Sequence, residues 1–410
     1  MGMANRSVGA VASCLILLAG TCLFAGDWPQ WRGANRDGKV SGFTAPLSWP
    51  TSMAAKWKVT VGLGDASPAL VGNKLYVFTR QQDDEVTLCL DADSGKELWR
   101  DKYPVGAITG PAAKAHSGPR SSPTVTDGKV VTLGVTGIVS CLDAATGKLL
   151  WRNDEFTKAA PKFFTATSPL VVDGLAVIQL GGEGDAAIVA FDLASGKIKW
   201  KWAGEGPGYS SPVVLTVDGA KQVVALTEKS VVGIDAKDGK GLWQIPFAAQ
   251  GRSYNAATPI VDGSTVIFTG QGRGTKAVKI EKQGDSFAVK DLWSNDKMAV
   301  QFSTPVLADG LLLGMSDKGN LFCLNAKNGE TCWTDPAKRG GGYAGMVDAG
   351  SVIFALPDNS ELIAFKPTDK EYSELARIKV ADTPTFAHPV IAGKNIYVKD
   401  QDSLTLWLLE

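Results

Sequence analysis

The sequence predicts an all-β protein, an eight-bladed β-propeller in which each blade has four short strands. Three observations predict this fold: a blade-start slot, usually a Ser/Thr-Pro pair, that recurs 41 to 55 residues apart, a second recurring motif that closes on Trp, and a detached strand near the N-terminus. A period of this length is typical of solenoids, propellers and arrays. Forty-six glycines and few long apolar stripes of helical period argue against a helical chain.

The first 25 residues have the pattern of a secretory signal peptide. Arg6 precedes an apolar run from Val8 to Ala25, with small residues at Ala25 and Gly26. Such a run is short for a membrane span, so we expect cleavage near Ala25; an uncleaved N-terminal anchor is the alternative. The mature protein is then exported, periplasmic or secreted, and has no transmembrane span.

Residues 26–54 have little strand pattern and are interpreted as an N-terminal arm that packs on the domain through Trp28 and Trp31. The propeller occupies residues 55–410. It opens on an alternating strand around Trp57 that lacks the turn preceding the other tryptophans.

The Ser/Thr-Pro pair marks the start of the innermost strand of a blade, where proline removes no ladder hydrogen bond. Each pair opens an apolar run that breaks at a glycine, as expected for a hairpin turn. The eight starts are Ser67-Pro68, Ser122-Pro123, Ser168-Pro169, Ser211-Pro212, Thr258-Pro259, Thr304-Pro305, the variant His388-Pro389, and Gly345-Met346, which lacks the proline.

The second motif is clearest from Asp143 to Trp151, where Asp-x-x-Thr-Gly makes a turn and the following strand carries the Trp. One unit cannot bury its own Trp, so we expect these residues to pack between neighbouring blades as structural joints. The tryptophans that end blades one to six are Trp99, Trp151, Trp200, Trp243, Trp293 and Trp333.

Blade eight has room for only three strands between His388 and Leu408. The strand around Trp57 supplies the missing fourth, so an N-terminal outer strand closes the ring and removes two exposed edges. In blade seven, the strand at Glu374 to Arg377 takes the place of the Trp strand.

Cys323 and Cys332 lie in one hairpin. If Asn325 pairs with Glu330, the two cysteines face each other and a cross-strand disulfide is within reach, whereas a slip of one residue would remove it. Cys89 and Cys141 are interpreted as small core residues.

The motif Ala-x-Asp-x-x-Thr-Gly-Lys-x-x-Trp at this period resembles the pyrroloquinoline-quinone (PQQ) repeat, the blade of quinoprotein dehydrogenases. The same blade builds BamB-like proteins, which bind no quinone. The resemblance covers about residues 55–408, and the opening Trp28-Pro29-Gln30-Trp31-Arg32-Gly33 resembles the start of secreted bacterial PQQ-like propellers. It implies the propeller fold and either an envelope scaffold or a PQQ-dependent dehydrogenase.

The residues three positions before each inner strand are expected to ring the mouth of the central channel, with Tyr254 close by in sequence. Four aromatics, one acid and one base would suit a small ligand or a peptide. The alternative is that these aromatics only pack the loops entering each blade. The ring positions are Asp65, Arg120, Ala166, Tyr209, Ala256, Phe302, Tyr343 and Phe386.

The sequence predicts neither a catalytic group nor a metal site. His388 occupies a Ser/Thr slot, and His116 lies in the insertion between Tyr103 and Arg120, so their spacing does not indicate a shared metal. The resemblance to quinoprotein alcohol dehydrogenases implies a Cys-Cys pair over the quinone, and none occurs. We therefore expect no cofactor, with PQQ and Ca²⁺ as the alternative.

The function that we predict is an exported, non-enzymatic propeller that binds a protein partner or small ligand in the cell envelope, as a monomer. A PQQ-dependent alcohol or sugar dehydrogenase is the alternative. A glycan-cleaving propeller would need two carboxylates in the channel, and Asp65 supplies one. Forty-two basic and forty-two acidic residues, with no basic stripe, argue against nucleic acid.

Overall fold

The computed structural model describes residues 26–110, 116–249, 251 and 253–410, which form eight four-stranded antiparallel sheets arranged as an eight-bladed propeller. The predicted signal peptide, residues 1–25, lies outside the described residues. Within the described ranges, no helix is long and apolar enough to cross a membrane.

The first strand, β1 (Ala54–Thr60), belongs to the last blade, and the first four complete blades follow it in chain order. Blade one is β2 (Ala69–Val71), β3 (Lys74–Gln81), β4 (Asp84–Asp91) and β5 (Glu97–Pro104). Blade two is β6 (Thr124–Thr126), β7 (Lys129–Leu133), β8 (Val139–Asp143) and β9 (Leu149–Asn153). Blade three is β10 (Leu170–Val172), β11 (Leu175–Leu180), β12 (Ala187–Asp192) and β13 (Ile198–Ala203). Blade four is β14 (Val213–Val217), β15 (Ala220–Leu226), β16 (Ser230–Asp235) and β17 (Gly241–Pro246).

The remaining blades repeat this order, with longer outer strands in blade five. Blade five is β18 (Ile260–Asp262), β19 (Thr265–Gly270), β20 (Gly274–Gln283) and β21 (Ser286–Asn295). Blade six is β22 (Val306–Ala308), β23 (Leu311–Met315), β24 (Asn320–Asn325) and β25 (Thr331–Lys338). Blade seven is β26 (Ala344–Asp348), β27 (Ile353–Pro357), β28 (Glu361–Phe365) and β29 (Glu374–Lys379). Blade eight is β30 (Val390–Ala392), β31 (Asn395–Lys399), β32 (Ser403–Leu408) and β1.

The ring closes as the sequence predicts. Strand β1 pairs antiparallel with β32, Trp57 lies opposite Leu406, and a β-bulge interrupts the register between Ala55 and Trp57. The earliest strand of the propeller therefore forms the outer edge of the last blade and covers the edge that β32 would otherwise expose.

A ring of hydrogen bonds links the starts of the inner strands, because each Ser/Thr hydroxyl accepts the backbone N–H of the preceding blade. The donor–acceptor pairs are Ser67 to Ser122 (3.0 Å), Ser122 to Ser168 (2.9 Å), Ser168 to Ser211 (2.9 Å), Ser211 to Thr258 (3.3 Å), Thr258 to Thr304 (2.9 Å) and His388 to Ser67 (2.8 Å). At blade seven, the Ser303 hydroxyl accepts from Ala344 N–H at 2.8 Å instead. The recurring Ser/Thr-Pro pair thus encodes contact between blades as well as the start of a strand.

The motif tryptophans lie between blades. Each of six indole N–H groups donates to a turn carbonyl of the next blade at 2.7 to 3.2 Å, and the acceptors for Trp57, Trp99, Trp151, Trp200, Trp293 and Trp333 are Ala92, Ala144, Leu193, Ala236, Ala326 and Thr368. The turn glycine of the next blade lies against the indole: a Cβ on Gly147 would stand 2.5 Å from the Trp99 ring.

Trp243 differs from the other six tryptophans. Its indole N–H donates to Gln222 Oε1 of its own blade at 2.6 Å. Blade five has a long β20–β21 hairpin with a two-residue turn in place of Asp-x-x-Thr-Gly, and its Gln283 pairs directly with Ser286. Trp243 still packs in an apolar cluster that spans blades four and five, with Val266 among its members.

The predicted pairing of the two cysteines is wrong by one residue. Asn325 N–H does bond Glu330, but a β-bulge follows, so Cys323 pairs with Trp333 and the next partners are Leu324 and Thr331. Cys332 is the extra residue of the bulge, and both thiols are free. Burial, together with the neighbouring Cys332 thiol, raises the pKa of Cys323 well above its usual value.

Candidate binding site at the channel mouth

All eight ring positions of the sequence analysis line one cavity of about 410 Å³ at the mouth of the channel. They converge because each stands directly upstream of an inner strand, four residues before it in seven blades and one residue before it at Tyr343, and the inner strands of a propeller surround its axis. Tyr254 lines the same cavity. The remaining lining residues are Trp31, His116, Phe163, Ser211 and Thr258.

The N-terminal arm crosses the channel beneath this cavity. Trp31 donates its indole N–H to Thr258 Oγ1 of blade five at 3.0 Å, and its ring meets His388 of blade eight edge-on at 4.6 Å. Trp28 is buried and pairs through its backbone with Leu70 of blade one. The arm thus contributes Trp31 to the cavity wall, a role that the sequence analysis did not assign to it.

Two buried arginines attach the arm to blades that lie far apart in the ring. Arg32 donates to the carbonyls of Thr304 (2.8 Å) and Pro305 (2.7 Å), and Arg36 donates to those of Ser168 (3.0 Å) and Pro169 (2.8 Å). Burial lowers the pKa of Arg32 to about 10 and of Arg36 to about 9. The sequence does not predict which groups these two arginines contact, because the acceptors are backbone carbonyls.

The aromatic side chains of the cavity form two groups. Phe163, Tyr209 and Tyr254 contact one another edge-to-face, with ring centroids 4.8 to 6.2 Å apart. Phe302 stacks on Tyr343 at 4.3 Å, and Tyr343 meets Phe386 at 5.2 Å. Burial raises the pKa of Tyr209 and of Tyr343, so both phenols stay neutral. An apolar ligand surface can lie against either group.

The polar part of the cavity combines Asp65, His116 and Arg120. His116 Nδ1 lies 2.7 Å from Asp65 Oδ2, so the acid is held by the histidine of the insertion. Arg120 Nη2 donates to the His116 carbonyl at 2.8 Å, while its buried Nη1 has no hydrogen-bond partner in the described part of the chain. Burial lowers the pKa of Arg120, and nearby Asp65 opposes this effect.

A buried lysine, Lys399, lies near Asp65. Lys399 is 1% exposed and donates its ammonium to the carbonyls of Gly64 (2.5 Å) and Asp400 (3.2 Å). Burial lowers the pKa of Lys399 to about 8, and Asp65 is the first of the charges that counter this shift. Asp65 thus stands near two cations, Lys399 and Arg120.

The donor set does not fit a Ca²⁺-bound quinone. Calcium takes six to eight oxygen ligands, whereas Asp65 is the one acid among the described residues that line the cavity. No group of three or more His, Cys, Asp or Glu side chains in the described ranges could hold a metal ion. Three of the free cysteines, Cys89, Cys141 and Cys323, are buried in blade strands.

A wider cleft of about 1060 Å³ adjoins the cavity and shares Tyr209 and Tyr254 with it. Its wall is rich in glycine, from Gly182 to Gly184 and from Gly204 to Gly208. Charged side chains of both signs, Lys162, Glu183, Glu205, Glu228 and Lys229, also line it. The cleft gives a ligand in the aromatic cavity room to extend across blades three to five.

The comparisons with known proteins now identify the family. The family model described as "Outer membrane protein assembly factor BamB" matches residues 36–182 and 82–335. The chain belongs to this BamB family of PQQ-like propellers.

A relative named BamB from Yersinia pestis is 26% identical over 243 residues, which is 56% of this chain and 59% of that protein. The matched stretch thus spans about three fifths of that curated relative. The solved structure of BamB from Moraxella catarrhalis superimposes with a TM-score of 0.65 at 14% identity, covering 87% of this chain and 100% of the other.

Quinoprotein enzymes share the fold with this BamB-family chain. Quinohemoprotein alcohol dehydrogenase from Comamonas testosteroni superimposes with a TM-score of 0.70 at 14% identity, over 93% of this chain and 80% of that enzyme. At this identity the likeness concerns the fold alone.

Proposed function

We propose that this chain is an exported, non-enzymatic BamB-like propeller that acts as a monomeric binding module for a protein partner or small ligand in the cell envelope. The observation that carries the proposal is the convergence of eight corresponding positions, one from each blade, on a single aromatic cavity. Membership of the BamB family supports the envelope assignment, because the relatives are named as outer-membrane assembly factors.

The chemistry of the cavity supports binding over catalysis. The Asp65 carboxylate is in contact with His116, and it is the one acid of the described lining. Ser211 and Thr258 line the cavity, and their hydroxyls accept the backbone N–H groups of Ser168 and Ser211 in the ring of bonds between blades. Aromatic surfaces with a few placed polar groups are typical of a ligand pocket.

The proposal is tested by photocrosslinking in the envelope. A photoreactive phenylalanine analogue at Phe302 should form a defined adduct, since this ring stands in the cavity wall. The triple substitution Arg120→Ala, Tyr209→Ala, Tyr343→Ala should abolish that adduct while the protein still unfolds cooperatively. The matched control places the analogue at Leu98, an exposed residue of the outer strand β5. Equal adducts at both positions, or an adduct unaffected by the triple substitution, would contradict the proposal.

The second candidate, a PQQ-dependent dehydrogenase, is favoured by the structural likeness to the Comamonas testosteroni enzyme. Incubation with PQQ and Ca²⁺, followed by dye-linked oxidation of alcohols and sugars, separates the two candidates. We expect no quinone absorbance on the protein after gel filtration and no dye reduction, because the lining offers one carboxylate. Stoichiometric quinone and substrate-dependent dye reduction would favour the dehydrogenase.

A further inference from the structure

We propose that the channel-mouth cavity selects ligands in which one anionic group, such as a carboxylate, is joined to an aromatic or apolar body. This inference rests on the proposed function, because it names the chemistry of the ligand that the cavity takes. Two features carry it: a guanidinium with spare donors at one side of the cavity, and aromatic surfaces around the rest of the wall.

The guanidinium of Arg120 has N–H donors that no acceptor among the described residues satisfies. Nη2 donates to the backbone carbonyl of His116, and the buried Nη1 has no partner among the described residues. A guanidinium presents five N–H donors in a planar fork that matches a carboxylate. Leaving such donors unpaired is costly, so an incoming anion that accepts from them gains more than it would from a satisfied arginine.

The acid nearest to Arg120 does not neutralise it through a hydrogen bond. Asp65 Oδ2 is held by His116 Nδ1 at 2.7 Å, and no ion pair within 4.0 Å joins Asp65 to Arg120. Lys399 is a second buried cation near Asp65, and within the described residues its ammonium donates to carbonyl oxygens such as those of Gly62 and Gly64. The group formed by Asp65, Arg120 and Lys399 has two cations and one carboxylate, so it can accept one more negative charge.

The aromatic side chains of the cavity wall determine the chemistry of the rest of the ligand. The Phe302–Tyr343 stack and Phe386 form one apolar surface, and Phe163 with its two tyrosines forms the other. A cationic ligand could use the faces of these rings, but it would face the unpaired guanidinium at close range. An aromatic or branched apolar body satisfies the rings without placing charge against them.

The first experiment compares three probes of one shape on the full mature chain by calorimetry: 3-phenylpropanoate, 3-phenylpropanamide and 3-phenylpropylammonium. We expect the acid to bind at least about tenfold more tightly than the amide, since charge-assisted bonds are about twice as strong as neutral ones. The ammonium compound should show no binding. Equal binding of all three probes would overturn the inference and leave the proposed function standing.

Variants connect the charge preference to Arg120. Arg120→Gln should bring the affinity for the acid down to that for the amide, and Tyr343→Phe, which keeps the ring, should leave the preference intact. Asp65→Asn removes the competing acid and should tighten binding of the acid probe. The matched control is Arg100→Gln on the outer strand β5, where Arg100 bonds Glu97. An acid preference that survives Arg120→Gln would overturn the inference.

Two further probes determine whether the carboxylate comes from a peptide C-terminus or from a small free acid. They are N-acetylphenylalanine and a pentapeptide ending in phenylalanine, and each is compared with its own C-terminal amide. Tighter binding of the peptide acid indicates a peptide C-terminus, and equal binding of the two acids indicates a small free acid. If no probe binds but the Phe302 adduct forms, the inference fails alone. If neither is seen, the proposed function fails with it.

Discussion

His388 occupies the slot that serine or threonine fills in six other blades, and it is enclosed on every side. It is 3% exposed, its ring lies against Trp31, and its Nδ1 has no hydrogen-bond partner in the part of the chain that the structure describes. Burial, followed by the charge of Arg32, lowers the pKa of His388 to about 3. The folded protein therefore holds this imidazole neutral throughout the mildly acidic range.

This histidine should make the protein sensitive to acid. Below pH 6.5 the unfolded chain binds a proton at His388 that the folded chain does not bind until about pH 3. Its contribution to stability is therefore complete above pH 6.5 and falls by about 1.4 kcal/mol per pH unit below it. Urea unfolding from pH 7 to pH 3.5 measures this effect. As the pH falls, the free energy of unfolding of the wild type should decrease relative to that of His388→Ser, which lacks the buried imidazole. Parallel curves would contradict the prediction.

At the residue scale, the spacing of the repeats predicts which residues line the cavity at the channel mouth, but it does not predict their contacts. Counting back three positions from the proline slot of each repeat gives Asp65, Arg120 and six other residues that line one cavity, because position in a repeat translates directly into position around the axis. The contacts of Arg32 and Arg36 were not predictable, since a backbone carbonyl has no sequence signature. The Asp65–His116 contact was likewise missed, because it joins a ring position to an insertion outside the repeat.

At the scale of the elements, the joint between blades depends on a glycine turn that faces an indole. Gly147 has a φ of +74°, and a Cβ there would lie 2.5 Å from Trp99. Gly128, in the β6–β7 hairpin of the same blade, has a φ of +69° and open space around its Cα. The two glycines share a backbone conformation and differ in what stands next to them.

Substituting each glycine by alanine separates these two effects. Gly128→Ala should cost about 1–2 kcal/mol, the strain of a left-handed residue. Gly147→Ala should cost about 1–3 kcal/mol more, because the methyl group must displace the Trp99 ring. Chemical denaturation of both variants measures the difference. Equal losses would mean that the indole does not constrain this turn.

The strands themselves were predictable from period and turn chemistry, but the register within a hairpin was not. The outer strand carries a β-bulge directly before its Trp, opposite Cys89 and Leu90 in blade one and opposite Cys323 and Leu324 in blade six. The bulge does not depend on the Asp-x-x-Thr-Gly turn, because blade five has a two-residue turn and still has the bulge, between Ala277 and Val278. A hydrophobic pattern alone does not reveal this extra residue, so the cysteine register was predicted one position off.

At the scale of the whole molecule, the arm holds distant blades together. Arg32 contacts blade six, Arg36 contacts blade three, and Pro29 accepts the backbone N–H of Val125 in blade two. The arm also pairs with blade seven, where Val40 N–H donates to Asp348. These contacts converge near the axis, so the arm acts as a crosslink on the inner side of the ring.

Removing one of these arginines should destabilise the entire propeller. Arg32→Ala leaves the buried carbonyls of Thr304 and Pro305 without a donor, which should cost about 3–5 kcal/mol. Arg100→Ala, at an exposed position of β5, is the matched control and should stay within about 0.5 kcal/mol. Equilibrium unfolding in urea measures both. A loss for Arg32→Ala no larger than that of the control would show that the arm is dispensable for stability.

The closure of the ring by its first strand also sets the order in which the molecule can be completed. Ser67 bonds His388 across 321 positions, and Gly64 bonds Lys399 across 335. Neither end of these bonds has its partner until nearly the entire chain is present, and contacts of such long range slow folding. A chain synthesised from its N-terminus can therefore form single blades early but cannot close the ring, or complete the cavity lining with Phe386, before the last blade is present. Closure of the propeller ring is therefore a late step in folding.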